Sequence, residues 1–294
     1  DLHYPLRRQR QMCIRDSGNP NVNPERSVQY EIGLQQQLTD DFKFDLTAYN
    51  KDVRDYIYTQ RVFTENAREY SILTNLSYAN VKGVTLSFIK RPSPGSLFSA
   101  TLDYTFQIAE GNRTEPNEDL FFSESAGKQT ETYLVPLEFD RNHLINGTVS
   151  LSEPRDWSVG FVYNLQTGTP YTPALPPTLS TITYEQSSDN KPFQWNVNLK
   201  LEKFFKIEPF DLSVFIQVKN LFDTRNERFV WANSGQALKN AEQKLNAAQF
   251  QDIRRRTIED PGLFNTSVID NYYQREERLS VPREVLLGFS LFFN

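Results

Sequence analysis

The side chains that could act as catalytic groups are few. His143 is the one histidine outside the first 17 residues, and Ser150 and Asp140 lie near it in the sequence. A histidine with a serine and an aspartate is the arrangement of many hydrolases. A histidine that simply stands at the start of a strand gives the same pattern, and we favour that interpretation. We therefore predict no catalytic residues, and the chain is interpreted as not being an enzyme.

Metal and phosphate sites leave characteristic spacings, and the sequence shows none of them. Cysteine and histidine do not occur at zinc-site spacing, and there is no glycine-rich phosphate loop. Carboxylate oxygens suit a hard divalent cation, but a solvated loop is the interpretation we favour for the one acidic run. That run consists of Glu110, Glu115, Glu118, Asp119 and Glu124. We predict no metal and no cofactor.

Aromatic residues in or beside the long connections are the candidates for ligand binding. Such side chains can stack on a sugar or on an aromatic ligand, or they can pack the loops on one another. The sequence leaves both interpretations open. The candidates are Tyr171, Tyr184, Trp231, Tyr272 and Tyr273.

The clearest structural elements are two runs between Phe193 and Asn226 in which apolar and polar residues alternate. Phe193 to Leu201 and Phe210 to Val218 each place their apolar residues on one face, and Lys206 to Phe210 forms the turn. A period of two indicates a strand between two unlike surroundings. Both runs have the about 9–11 residues of a tilted membrane-crossing strand, whereas globular strands have about 5–6.

Similar apolar rows recur along the chain and predict about nine strands. One charge facing lipid costs about 2–4 kcal/mol, and the apolar rows contain no Asp, Glu, Lys or Arg. We therefore expect these rows to face hydrocarbon, the opposite rows to face water, and Trp157, Trp195 and Tyr163 to lie in the interface girdles. The apolar rows lie at 28–34, 42–48, 84–88, 98–108, 145–151, 157–165, 193–201, 210–218 and 285–293.

Connections between the predicted strands alternate in length. The short ones lie at 39–41, 91–96, 152–156 and 206–210, and the long ones at about 59–76, 110–138, 170–191 and 226–282. Outer-membrane barrels have short periplasmic turns and longer extracellular loops. The pattern predicts an all-β fold, part of an antiparallel up-and-down transmembrane β-barrel. Within the longest connection, residues 236–256 have helical composition.

Composition is consistent with this fold. The chain has 294 residues, a net charge of -5 and 38% hydrophobic residues. No run approaches the roughly 18 apolar residues of a membrane helix, as expected where each strand is apolar on one side. Cys13 is the one cysteine, so no internal disulfide can form. No basic stripe stands out, and we predict no nucleic-acid partner.

The first 17 residues differ from the rest of the chain. They are basic, lack alternation, and hold the one cysteine and the one methionine. The stretch LRRQRQMCIRDS looks like translated sequencing-adapter read-through. We predict that residues 1–17 are a non-native or disordered tail and that residues 18–294 form the C-terminal part of an outer-membrane β-barrel.

Short motifs in a fixed order give the chain a resemblance to a family. They are Asn19-Pro20, Asn23-Pro24-Glu25-Arg26 with Tyr30-Glu31-Ile32-Gly33, Leu46 to Asn50 with Val53 to Ile57, Asn80 to Val84, Phe139 to His143, Thr167 to Pro173, Val218 to Asp223, and Pro282 to Val285 with Leu287-Gly288-Phe289. Taken together, they resemble the C-terminal part of the β-barrel of a TonB-dependent outer-membrane receptor.

The resemblance implies a parent protein with a plug domain and a barrel of about 22 strands. Such a receptor imports a scarce nutrient: a siderophore, cobalamin, an oligosaccharide or a peptide. The implied partners are outer-membrane lipid, the barrel-assembly machinery, the ligand, and the TonB energy complex acting through the plug that this chain lacks. The implied location is the outer membrane of a Gram-negative bacterium, and the implied assembly signal is Phe289, Leu291 and Phe293 of the closing strand.

Two other interpretations remain open from the residues. The chain can be part of a passive porin or of a barrel-borne outer-membrane enzyme, which would use the same strand pattern. A soluble β protein also alternates apolar and polar residues.

Overall fold

Strands dominate the part of the chain that the structure describes. The computed structural model describes residues 19–63, 69–93, 95–112, 134–174, 186–207, 210–241, 248, 251–252, 255 and 275–293. The strands are β1 (Arg26–Gln37), β2 (Phe42–Phe63), β3 (Glu69–Lys90), β4 (Phe98–Gly111), β5 (Val135–Pro136), β6 (His143–Glu153), β7 (Trp157–Gln166), β8 (Pro170–Tyr171), β9 (Asp189–Asn190), β10 (Gln194–Ile207), β11 (Phe210–Lys219) and β12 (Glu284–Phe293). A 3₁₀ helix lies at Glu276–Arg278.

The long strands form one sheet in which each lies beside the next long strand of the chain. The 10-stranded sheet has the order β1-β2-β3-β4-β6-β7-β10-β11-β12, and β5 pairs with β4. The strands β8 and β9 form a separate two-stranded sheet. From β4 to β12 the neighbouring strands pair antiparallel. This up-and-down order confirms the predicted fold class.

The hairpin of β10 and β11 confirms the clearest prediction from the sequence. Leu199 pairs with Val218 on β11, and Val197 pairs with Tyr163 on β7. The pairing therefore sets residues of the predicted apolar rows opposite one another. A slip of one residue would move a whole row to the other face, so this register keeps the two faces distinct.

The connection predicted at 59–76 is much shorter in the structure. β2 continues to Phe63 and β3 begins at Glu69, so that each strand has 22 residues. The prediction of a long connection was wrong here, and the alternation of short and long connections fails at this point. Asp55 has a φ of 57° inside β2. A residue in the left-handed region interrupts the two-residue period of a strand, and that period was the signal for the strand.

The chain divides into two compact units, which are described separately. The smaller unit has its own apolar core, in which Ala79, Ala109 and Leu137 are buried and Val53 and Val81 pack against them. The smaller unit comprises Asp1–Glu31, Tyr49–Lys82 and Ile108–Asp140, and the larger one comprises Ile32–Ala48, Gly83–Gln107 and Arg141–Asn294.

Short turns join the strands at one end of the larger unit. The Thr39 hydroxyl accepts the backbone N–H groups of Asp41 and Phe42 at 3.3 and 3.2 Å. The Lys90 ammonium donates to the Asp41 carboxylate at 3.2 Å. The hydroxyl of Ser93 and this ammonium hold the pKa of Asp41 below its ordinary value. These contacts fasten the β1–β2 turn to the β3–β4 turn.

Long connections join the strands at the other end of the larger unit. They run from β7 to β10 and from β11 to β12. In the second connection, residues 236–240 of the predicted helical stretch are not helical, whereas its later described residues are, namely Ala241, Ala248, Gln251, Asp252 and Arg255. Across the described residues, the structure contains no helix with the length and apolar character needed to cross a bilayer.

Candidate functional site

Polar side chains on one face of the larger unit hydrogen-bond from strand to strand. They belong to the rows that the sequence assigned to water. The bonds between strands join Thr101 to Thr148 at 2.8 Å, Asn164 to Asn146 at 2.5 Å, Gln166 to Gln194 at 3.0 Å, and Ser213 to Glu202 at 2.7 Å. Within β10, Lys200 also donates to Glu202 at 2.9 Å.

Phe215 is an aromatic residue in this polar row. It pairs with Gly288 of β12, and a Cβ on Gly288 would overlap the Phe215 ring. The Lys200 ammonium lies 5.5 Å from the centre of the same ring. Phe215 therefore covers the backbone of β12 at Gly288, and a cation lies over the ring.

The opposite face of the larger unit presents apolar side chains to the surroundings. Leu287 and Phe289 of β12 are 75% and 70% exposed, and Leu291 is also exposed. The side chain of Phe293, the third residue of the proposed assembly signal, lies outside the described residues. Such a continuous exposed apolar row suits a hydrocarbon surrounding rather than water.

The aromatic residues predicted for the interface girdles also belong to this apolar row. Tyr163 lies across Gly147 of β6, where an added Cβ would overlap its phenol. Trp195 packs on Phe222, with ring centroids 5.6 Å apart. Trp157 is the first residue of β7. Their place at the membrane interfaces stays a prediction.

His143 stands at the first position of β6, as the non-catalytic interpretation expects. Its Nδ1 lies 2.9 Å from the Tyr104 hydroxyl, and its ring packs on Phe106 with centroids 5.4 Å apart. Ser150 lies on the same strand. Because the two residues are seven positions apart on the strand, their side chains leave opposite faces of β6. The two residues therefore do not form a catalytic pair.

Arg141, just before β6, holds the start of the β7–β10 connection. Its Nη1 donates to the carbonyl of Thr167 at 2.8 Å and to Oε1 of Gln194 at 3.4 Å. Burial lowers the pKa of the Arg141 guanidinium. The arginine of the Phe139 to His143 motif thus fixes the two ends of one long connection.

Asn226 anchors the other long connection to β10. The Trp195 N–H donates to Oδ1 of Asn226 at 3.0 Å, and Nδ2 of Asn226 donates to the Trp195 carbonyl at 2.7 Å. The Asn226 N–H in turn donates to the Ser280 hydroxyl at 3.0 Å. Sequence reasoning assigned no role to Asn226.

Asn220 closes the turn that follows β11. Its φ is 53°, a left-handed conformation that asparagine tolerates better than most residues. Its Nδ2 donates to the carbonyls of Thr224 and Val281, each at 3.0 Å, and its N–H donates to Oδ1 of Asn198 at 2.9 Å. An asparagine directly after a strand was the available sequence signal for this turn.

Tyr171 lies where the two long connections meet. Its hydroxyl donates to the Asp189 carboxylate at 2.9 Å, and β8 pairs with β9 at these two residues. The same hydroxyl occupies the position that a side chain on Gly235 would fill. The structure thus brings Tyr171 into contact with the connection that contains Trp231.

Trp231 lies beside cationic and apolar side chains of its own connection. The Arg278 guanidinium stacks over the Trp231 ring, 3.6 Å from the ring centre. A shallow cavity of about 480 Å³ next to them is lined by Phe229, Val230, Glu277 and Arg278. Phe229 is 59% exposed. The surface offers aromatic faces and a guanidinium, which suit stacking on a planar ligand.

Several predicted site residues fall outside the described part of the chain. These are Tyr184, Tyr272, Tyr273, Glu115, Glu118, Asp119 and Glu124, together with the tail at 1–17. Glu110 of the acidic run lies in β4 opposite Pro136. In the residues that the structure describes, no group of three or more His, Cys, Asp or Glu side chains is placed to hold a metal ion.

These features define a class of protein. An up-and-down sheet with one exposed apolar face and one polar face, and in its larger unit short turns at one end and long connections at the other, is the wall of an outer-membrane β-barrel. The family described as TonB dependent receptor-like, β-barrel, matches residues 10–221, and the chain belongs to this family. The resemblance drawn from the sequence motifs is confirmed.

Solved structures of outer-membrane transporters share the fold. The transporter YddB from Escherichia coli superposes with a TM-score of 0.55 and 13% identity, over 70% of this chain and 30% of that one. The pyoverdine receptor FpvA from Pseudomonas aeruginosa PAO1, bound to pyoverdine, superposes with a TM-score of 0.54 and 15% identity, over 95% of this chain and 31% of that one. The chain therefore spans about 30% of the length of these relatives. No curated protein matches the sequence.

Proposed function

We propose that this chain supplies wall and extracellular loops to a TonB-dependent receptor that imports a scarce nutrient across the outer membrane of a Gram-negative bacterium. The observation that carries the proposal is the assembly of the two long connections of the larger unit. They fasten to one another at the end of the strands opposite the short turns, where Phe229 is exposed and Arg278 stacks on Trp231. Membership of the receptor family supports the same function.

The aromatic and cationic surface at Trp231 is the proposed ligand contact. An indole ring and a guanidinium provide stacking and charge for a planar ligand. The four nutrient classes are a siderophore, cobalamin, an oligosaccharide and a peptide, and FpvA is a relative with pyoverdine bound. Tyr184, Tyr272 and Tyr273 remain further candidates on the same connections.

Growth of a strain that depends on the full-length receptor tests this function. Each of the four nutrient classes is supplied in turn as the limiting nutrient. We expect one class to support growth, and a protonophore to abolish its uptake, because TonB-coupled import uses the energy of the inner membrane. Uptake that continues with the protonophore would favour the passive porin, and turnover of substrate by isolated outer membranes would favour the surface enzyme.

The last strand supplies the proposed assembly signal. Phe289, Leu291 and Phe293 follow one another on the apolar row of β12, an edge strand of the described sheet. We expect Phe293→Ala to lower the amount of full-length receptor in the outer-membrane fraction, measured by immunoblot. Leu286→Ala on the other face of the same strand is the control. Equal amounts of the two variants would contradict the assignment.

A further inference from the structure

The β7–β10 connection and the β11–β12 connection meet at one aromatic side chain, Tyr171. The Thr167 to Pro173 motif brings it there. A Cβ on Gly168 would overlap the Lys191 backbone, and the Lys191 N–H donates to the Thr169 carbonyl at 3.0 Å. The motif is thus packed tightly against the returning half of its own connection, and Tyr171 is held by Asp189 at 2.9 Å.

In the β11–β12 connection, the residue that contacts Tyr171 is Gly235, whose backbone conformation favours glycine. Gly235 has a φ of +66°, and a Cβ on it would overlap the Tyr171 hydroxyl and lie 3.2 Å from Cζ of the same ring. The Gly235 N–H donates to the Trp231 carbonyl at 2.8 Å. The contact therefore depends on a residue without a side chain, one turn away from Trp231.

Two further hydrogen bonds join the same two connections. The Ala174 N–H donates to the Ala232 carbonyl at 2.9 Å. Nearer the strands, Nε2 of Gln194 donates to the Glu227 carbonyl at 2.7 Å. These two bonds, together with the Tyr171–Gly235 contact, tie the two connections to one another.

We propose that Tyr171 is a clasp that fixes the described residues of the β7–β10 connection to those of the β11–β12 connection, so that these parts move as one body. Tyr171 is then a positioning residue that holds the Trp231 loop, rather than a side chain that contacts ligand. The clasp itself stands on contacts within the protein. We expect a ligand that binds one connection to displace both. This effect on nutrient capture rests on the proposed function.

Amide hydrogen exchange in the full-length receptor without ligand tests the clasp. Gly235→Ala places a Cβ against the Tyr171 hydroxyl, and we expect the Ala174 amide to exchange about fivefold faster, the change for one lost hydrogen bond. Tyr171→Phe removes the hydroxyl and leaves the ring carbon 3.2 Å from the new Cβ. The double variant Tyr171→Phe/Gly235→Ala should therefore exchange more slowly at Ala174 than Gly235→Ala alone.

Gly95→Ala is the control for backbone strain. Gly95 also has a positive φ, +81°, and no atom lies within 4 Å of its Cβ position. The Gly95→Ala substitution should therefore leave amide exchange at Ala174 unchanged. Equal exchange in wild type and Gly235→Ala would overturn the clasp, as would a double variant as fast as Gly235→Ala. Because no nutrient is present, this result is independent of the growth assay: a failed clasp leaves the import proposal intact, and a failed import assay leaves the clasp intact.

Discussion

The side-chain amide of Asn226 pairs with both backbone groups of Trp195, at 3.0 and 2.7 Å. Along this edge of β10, the pairing with β11 ends at Leu199. Asn226 therefore makes the two hydrogen bonds to the Trp195 backbone that a residue of β11 would make if the strand continued that far. The loop that presents Trp231 is thus attached to the sheet at a backbone position, and Gln194 extends the attachment by one residue.

We expect Asn226→Ala to loosen this attachment. The substitution removes two hydrogen bonds, each worth about 1 kcal/mol net, and leaves the Trp195 backbone groups without their partners. Thermal unfolding in detergent should occur at a lower temperature, and the Trp195 amide should exchange faster. Asn233→Ala removes bonds farther along the same connection, so it should not change exchange at Trp195. Unchanged exchange at Trp195 in Asn226→Ala would contradict the assignment.

Two valines on neighbouring strands test which face of the sheet meets lipid. Val197 pairs with Tyr163 on the apolar row, and Val162, the next residue along β7, belongs to the polar row and is 51% exposed. We expect Val197→Arg to reduce the receptor in outer membranes, because an arginine facing lipid costs about 2–4 kcal/mol. The side chain at position 162 faces water, so the Val162→Arg variant should reach the outer membrane at the wild-type level, as measured by immunoblot of membrane fractions.

Both substitutions replace valine with arginine at nearly the same depth in the sheet. Equal amounts of the two variants in the outer membrane would therefore contradict the assignment of the apolar row to lipid and the polar row to water. Asn198→Arg is a less suitable control, although Asn198 also lies on the polar row. Its Oδ1 accepts the Asn220 N–H at 2.9 Å, so the substitution would also disturb the turn after β11.

Gly147 and Gly160 should respond oppositely to alanine. A Cβ on Gly147 would overlap the Tyr163 phenol and the Thr101 carbonyl, whereas the nearest atom to a Cβ on Gly160 is Oγ of Ser150 at 3.5 Å. We expect Gly147→Ala to destabilise the fold by about 1–3 kcal/mol, as overpacking does. Gly160→Ala should be neutral or slightly stabilising. Denaturant unfolding of both variants measures this, and a larger loss from Gly160→Ala would refute it.

Asp41 gives the short turns a defined dependence on pH. The Ser93 hydroxyl and the Lys90 ammonium hold its pKa below the ordinary value. A depressed folded-state pKa stabilises the fold above the unfolded-state value, about 3.9, and this stabilisation is lost as the pH falls through the folded-state pKa. We expect Asp41→Asn to unfold at a lower temperature than wild type at neutral pH, and the difference to vanish in acid.

Thermal unfolding measured across a pH series checks this prediction. Asp40→Asn removes the same charge from the adjacent residue and should lower the unfolding temperature less. If the Asp41→Asn variant still unfolds at a lower temperature than wild type in acid, by the same difference as at neutral pH, the contribution of Asp41 would not depend on its charge.

The sequence predicted the strands wherever two unlike faces persist along them. The hairpin of β10 and β11 and the strands β4, β6 and β7 follow directly from the alternation of apolar and polar residues. β2 was predicted less well because Asp52 occupies the apolar register. In the structure its carboxylate accepts hydrogen bonds from Tyr78 and Asn80 of β3 at 3.0 and 2.6 Å, so the neighbouring strand satisfies this polar residue.

The candidate site was predictable in its residue types and not in its contacts. Aromatic residues in long connections pointed to Tyr171 and Trp231. Neither the Tyr171 contact with Gly235 nor the stacking of Arg278 on Trp231 follows from local sequence, because each joins residues that lie far apart along the chain. The roles of Asn220 and Asn226 depend on backbone partners, which side-chain patterns do not indicate.

The ring of Phe215 over Gly288 has a consequence for how the last strand finds its place. If β12 shifted by one residue, Phe215 would face Leu287 or Phe289 in place of the glycine. Each has a bulky side chain, and the shift would also turn the lipid-facing residues of β12 inward. A single glycine can thus select one alignment of the final strand among several that hydrogen bonding alone would accept.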